Sequence, residues 1–133
     1  NYPFQRAASD LDVDLRSGTG DDDYLAALHD ALVRAVPAAR PELVVYLAGA
    51  DPWEGDRLGR LALTKAGLGA RDALVLDTAE RAGAPVCVAL AGGYAPDVRD
   101  TVEINLATAR AVAARASATD VSSPGRTAAG WRS

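Results

Sequence analysis

Apolar positions along this chain alternate between two periods. Leu43-Val44-Val45-Tyr46-Leu47-Ala48 is a continuous apolar run of strand length, and Pro85-Val86-Cys87-Val88-Ala89-Leu90-Ala91 is another. Uniformly apolar runs of this size predict buried strands of a parallel sheet rather than half-exposed strands that alternate. Between them lies a helical segment that Thr64 can cap, with Leu68, Leu74, Val75, Ala79 and Ala82 toward one side and Gly83 at its end. A right-handed β-α-β crossover would make the two strands parallel neighbours.

The flanks carry the helical period. Asp21, Asp22 and Asp23 suit the positive end of a helix whose apolar face is Tyr24, Leu25, Leu28, Leu32, Val33 and Val36, with Pro37 as its stop. A last helix is expected from Pro96-Asp97, burying Val98, Val102, Asn105, Leu106, Ala109 and Val112. Upstream, Asp10-Leu11-Asp12-Val13-Asp14-Leu15 alternates as a short strand would, and Arg16 to Gly20 reads as a turn. These elements give an α/β class with a parallel sheet, one domain over residues 1–116 and a Ser-, Thr-, Gly- and Pro-rich flexible tail over 117–133 that includes Trp131.

Composition narrows the function. The chain has 133 residues and a formal charge of -4, with a pI near 4.9. Its Lys and Arg are scattered, which argues against nucleic acid as a partner. No apolar run approaches the ~20 residues of a membrane span. One cysteine allows no internal disulfide and fits a reducing, cytoplasmic setting. The start at Asn1-Tyr2-Pro3-Phe4 and the lack of methionine suggest a piece of a longer domain.

Chemistry concentrates at the strand ends. Asp51 follows the first apolar run and Pro52 takes the chain out of the sheet, which sets a carboxylate at the C-terminal mouth of a strand, where open α/β sheets gather their binding groups. Gly92-Gly93-Tyr94 ends the second run, so Asp51 and Tyr94 are expected at one sheet edge. The Trp53–Leu63 connection is longer than the ~2 to 6 residues usual for such loops. Other candidates are weaker. Asp10, Asp12 and Asp14 mimic the opening of a calcium loop, but the required sixth and twelfth positions hold Leu15 and Asp21. His29 has no ligand partner one turn away and reads as an ordinary, partly exposed side chain. Cys87 has no activating neighbour and reads as core. Gly18 and Gly20 precede no phosphate-loop ending.

Ala48-Gly49-Ala50-Asp51-Pro52-Trp53-Glu54-Gly55-Asp56-Arg57-Leu58-Gly59-Arg60-Leu61, Thr64-Lys65-Ala66-Gly67-Leu68 and Ala91-Gly92-Gly93-Tyr94 together resemble the C-terminal half of the histone deacetylase superfamily, most of all its class IV branch and bacterial relatives. The resemblance implies a three-layer αβα fold of the arginase/deacetylase type and a zinc-dependent hydrolase acting on acyl-lysine or a related acylated amine. Asp51 matches a zinc ligand of that family and Tyr94 its oxyanion-stabilising tyrosine. Gly92 and Gly93 match the turn beside the acyl channel, and Leu58 matches a channel-lining position. The family's His-His pair and its Asp-x-His ligands have no counterpart in this sequence. Zn²⁺ is therefore expected in a complete domain and not in this chain alone, which is expected to be inactive. Its expected partner is the missing N-terminal half or a self-associating copy. The competing reading is a noncatalytic interaction module that keeps the sheet; whether the gene encodes His-His and Asp-x-His upstream separates the two. A third reading, a doubly wound domain binding a small anion, lacks a phosphate fingerprint.

Overall fold

The computed structural model describes residues 9–121. The start at Asn1 and the tail from residue 122 onward, with Trp131, lie outside them. The elements run α1 (Asp21–Ala39), β1 (Val44–Gly49), α2 (Lys65–Arg81), β2 (Val86–Ala91) and α3 (Val98–Val121). The two strands pair in parallel, from Val44 opposite Val86 to Gly49 opposite Ala91. This is the α/β class with a parallel sheet that the two apolar runs predict, joined by the expected β-α-β crossover.

Local chemistry explains the element ends. Thr64 caps α2, its hydroxyl accepting from the Gly67 N–H at 2.9 Å. Pro37 does not stop α1 as expected; it falls in the last turn, where the helix continues to Ala39. A proline there gives up its own N–H and crowds the Val33 carbonyl, and only two more residues of helix follow it. The stop is Arg40, in the left-handed region at φ 45°, whose N–H reaches the Val36 carbonyl at 3.0 Å. The alternation at Asp10–Leu15 forms no strand, and those residues are irregular.

Packing is one-sided. α2 packs on β1 and is flanked by α1 and α3, so the helices form one layer against one sheet face. Ala48 is buried beneath that layer, whereas Val45 and Leu47 on the opposite face are 63% and 67% exposed. Cys87, paired with Val45, is exposed as well, contrary to its expected burial, because none of the described residues covers that face. α3 is rotated relative to its expected stripe: Val98, Val102 and Leu106 are exposed, while Ile104 and Thr108 are buried. The rotation follows from what α3 meets, an apolar cluster that takes Ile104 and a carboxylate that takes Thr108.

That carboxylate is Asp72, buried with its neighbour Arg71. Asp72 Oδ1 accepts from the Tyr46 hydroxyl and from Arg71 Nε and Nη2 at 3.0 and 2.8 Å, and Oδ2 accepts from the Thr108 hydroxyl. Arg71 Nη1 donates onward to the Gly49 carbonyl at 2.6 Å. Burial, and after it Asp72, push the Tyr46 hydroxyl far above its ordinary pKa against the opposing pull of Arg71, so it remains a donor. The pair thus joins β1, α2 and α3 at one point. Asp72→Ala should cost about 3 to 5 kcal/mol, because it strands a buried guanidinium. Urea denaturation should show that loss, while Val45→Ser on the bare face should stay within about 0.5 kcal/mol.

Candidate functional site

The apolar cluster of Ala50, Leu63, Leu68 and Ile104, joined by Tyr24, Trp53 and Leu61, lies directly behind the C-terminal end of the sheet. Ala50 still belongs to the ladder, its N–H donating to the Ala91 carbonyl at 3.0 Å. The next residue, Asp51, sets its carboxylate against Gly92. The pairing register therefore brings Asp51 and the Gly92-Gly93-Tyr94 turn to one edge, as the β-α-β reading requires.

The contact is intimate and depends on absent side chains. A Cβ at Gly92 or at Gly49 would overlap Asp51 Oδ1. Gly92 and Gly93 have φ of 63° and 112°, in the region that favours glycine. A Cβ at Gly93 would stand 2.7 Å from Thr101 and 3.1 Å from Ala50. Backbone thus packs on the Asp51 carboxylate from both strands.

The β1–α2 connection is folded rather than loose. Trp53 N–H donates to the Ala50 carbonyl at 3.1 Å, Glu54 N–H to Leu63 at 2.8 Å and Leu63 N–H to Pro52 at 3.1 Å. Lys65 Nζ stands 5.5 Å from the centre of the Trp53 ring and pairs with Asp100 at 2.7 Å and with Glu103, tying the start of α2 to α3. Asp56, within the loop, accepts from the N–H groups of Leu58, Gly59 and Tyr94. Partial burial raises its pKa, but those three donors and then Arg57 outweigh it and hold the carboxyl below the usual range. Leu58 and Tyr94 are 65% and 52% exposed at the mouth.

Two sequence candidates lie elsewhere. His29 is exposed, 3.6 Å from the Asp30 carboxylate, and lines an open groove of about 520 Å³ between the C-terminal halves of α1 and α2, with Leu32, Val36, Arg40 and Arg81. That groove is at the other end of the sheet from Asp51. Asp10, Asp12 and Asp14 join no metal-binding set, and among the described residues no group of three or more His, Cys, Asp or Glu could hold a metal ion. Asp51 alone does not fit a zinc centre, which takes three protein ligands.

Asp56 has a task at this edge that the sequence pattern does not announce. Its spacing to Leu58 and Gly59 marks an Asx turn, but nothing local announces a bond to Tyr94.

The sequence profile of the histone deacetylase domain matches residues 4–109. An uncharacterized protein of the cyanobacterium Picosynechococcus is 46% identical over 102 residues, covering 77% of this chain and 34% of its own length. Histone deacetylase 2 of Arabidopsis thaliana is 40% identical, over 70% of this chain and 25% of its own. A histone deacetylase-like amidohydrolase of Pseudomonas aeruginosa is 38% identical, over 63% of this chain and 22% of its own. The chain thus spans about a third or less of the length of these relatives.

Replacing Gly92 with alanine must either displace the Asp51 carboxylate or flatten the turn. Gly92→Ala should destabilise the chain by at least about 1 kcal/mol through its positive φ alone. Thermal melting checks it against Gly69→Ala, where a Cβ meets nothing and a helical alanine should stabilise.

Proposed function

This chain belongs to the histone deacetylase family, and on that premise we propose that it supplies part of the active site of a zinc-dependent deacylase. Asp51 contributes one carboxylate ligand and Tyr94 the hydroxyl that donates to the developing oxyanion. Gly92, Gly93 and Leu58 border the channel that admits the acylated amine. The observation that carries this reading is the packing of Asp51 Oδ1 against Gly92, two residues before the tyrosine.

Zinc in a complete site supplies a Lewis acid and an activated water. In this proposal its other ligands and the general base lie outside the described residues, so no step through the metal is derived from this chain. What these residues supply is orientation: a carboxylate and a phenol brought to one sheet edge. An oriented oxyanion donor is worth about 2.7 to 4 kcal/mol, or about 10² to 10³ in kcat.

The bare face around Val45, Leu47 and Cys87, together with the Val98-Val102-Leu106 stripe, supports the partner reading. In it, the remainder of a deacetylase-like domain, or failing that a second copy of this chain, covers that surface. A lasting interaction module without catalysis is the alternative those same surfaces favour. A reducing cytoplasm suits the exposed Cys87 thiol; no described helix is long and apolar enough to cross a membrane.

Two measurements test the proposal. The isolated 133-residue chain should retain no stoichiometric zinc on dialysis and should release no acetate from an acetyl-lysine peptide. Co-expression with the part of the Picosynechococcus relative outside the matched third should restore zinc-dependent release, lost on Asp51→Asn and reduced about 10²- to 10³-fold by Tyr94→Phe. Zinc-dependent hydrolysis by the isolated chain would overturn the proposed division of ligands. A complemented complex that holds zinc and shows no effect of Tyr94→Phe would overturn the role of the tyrosine.

A further inference from the structure

Tyr94 presents a problem of orientation. It follows two left-handed glycines, its ring is half exposed, and its hydroxyl makes no hydrogen bond among the described residues. A chain leaving Gly92-Gly93 has many directions open to it.

The backbone of Tyr94 is held at both of its polar groups by two consecutive residues of the opposite loop. Asp56 Oδ2 accepts from the Tyr94 N–H. Arg57 donates to the Tyr94 carbonyl through its own N–H at 3.3 Å and through Nε at 3.1 Å. The bonds to the N–H and the carbonyl restrain φ and ψ of Tyr94 together, and so restrain the direction of its Cα–Cβ bond. Asp56 divides its oxygens between two tasks. Oδ1 accepts from Leu58 and Gly59 at 2.8 and 2.7 Å and shapes its own loop, while Oδ2 alone crosses to the other strand's turn.

We propose that Asp56, assisted by Arg57, is a positioning residue for Tyr94, setting the direction in which the phenol enters the mouth. The proposal rests on the proposed function only for what that phenol does once positioned. The geometric claim stands apart from metal and catalysis, and is tested apart from them.

The division of oxygens makes Asp56→Asn the informative variant. Its side-chain carbonyl can still accept from Leu58 and Gly59, while its amide nitrogen, a donor, is left facing the Tyr94 N–H. In the ¹⁵N-labelled chain, exchange of the Tyr94 amide should quicken about tenfold, as loss of a bond to a charged group implies. The Leu58 and Gly59 amides should keep their protection. With 3-fluorotyrosine incorporated, the Tyr94 ¹⁹F signal, identified by its loss in Tyr94→Phe, should move toward the free amino-acid position while the Tyr24 and Tyr46 signals stay. A purely local role in the loop predicts the reverse, with Leu58 and Gly59 deprotected and Tyr94 unmoved, and that result overturns the proposal. So does a quickened Tyr94 amide with an unmoved ring signal. Should Asp56→Asn unfold the chain and shift the Tyr24 and Tyr46 signals as well, Arg57→Ala, which removes only the guanidinium bond, must move Tyr94 and leave Tyr24 and Tyr46 in place; no movement of Tyr94 there overturns the proposal. Absence of deacylase activity in any complex would defeat the functional reading and leave these signals as they are.

Discussion

The meeting of β1, α2 and α3 turns on a carboxylate that cannot be left alone. Asp72 is buried on the inner side of α2, and a buried charge persists only when paired and fully hydrogen-bonded. Its partners come from three elements: Tyr46 on β1, Arg71 on α2 and Thr108 on α3. To satisfy it, α3 must present Thr108 inward and leave Val98, Val102 and Leu106 outside. Arg71 then carries the same constraint to the Gly49 carbonyl, two residues short of Asp51. The buried pair and the mouth of the sheet are thus one mechanical unit.

At the mouth the means are different. Among the described residues no side-chain hydrogen bond places Asp51; close packing does, with Gly49 and Gly92 against its oxygen and Ala50 anchored in the apolar cluster. Across the gap, Tyr94 is addressed through its peptide groups by Asp56 and Arg57. Both candidate site residues are therefore set by backbone, one by close packing and one by hydrogen bonds. Such placement asks for little of the site residues' own side chains, which leaves the carboxylate and the phenol free to meet a ligand. That fits the part of a deacylase site proposed for this chain.

Much of the frame was legible in the sequence. The two apolar runs gave the strands, Thr64 the start of α2, and the turn residues at Asp51-Pro52 and Gly92-Gly93 the shared edge. What escaped has physical causes. Arg71 and Asp72 look like solvated surface in any count of apolar positions, and only their mutual pairing permits burial. Val98, Val102 and Leu106 form a proper helical stripe, yet a hydroxyl at Thr108 set the rotation of α3. The alternation at Asp10–Leu15 matched a strand's period but met no neighbouring strand to pair with. Cys87 was placed correctly in β2 and misjudged in burial, because the uniformly apolar run anticipates two covered faces and none of the described residues covers the second.

The glycines that crowd Asp51 also bear on how this site can change over generations. A lining made of backbone cannot be tuned in small steps: at Gly49 and Gly92 the smallest possible enlargement already collides with the carboxylate. Inherited variation is thereby steered away from the floor of the mouth and onto its rim, where Leu58 projects into open space. On the proposed function, new preferences for the shape of an incoming group would accumulate there one residue at a time, over a floor that stays fixed.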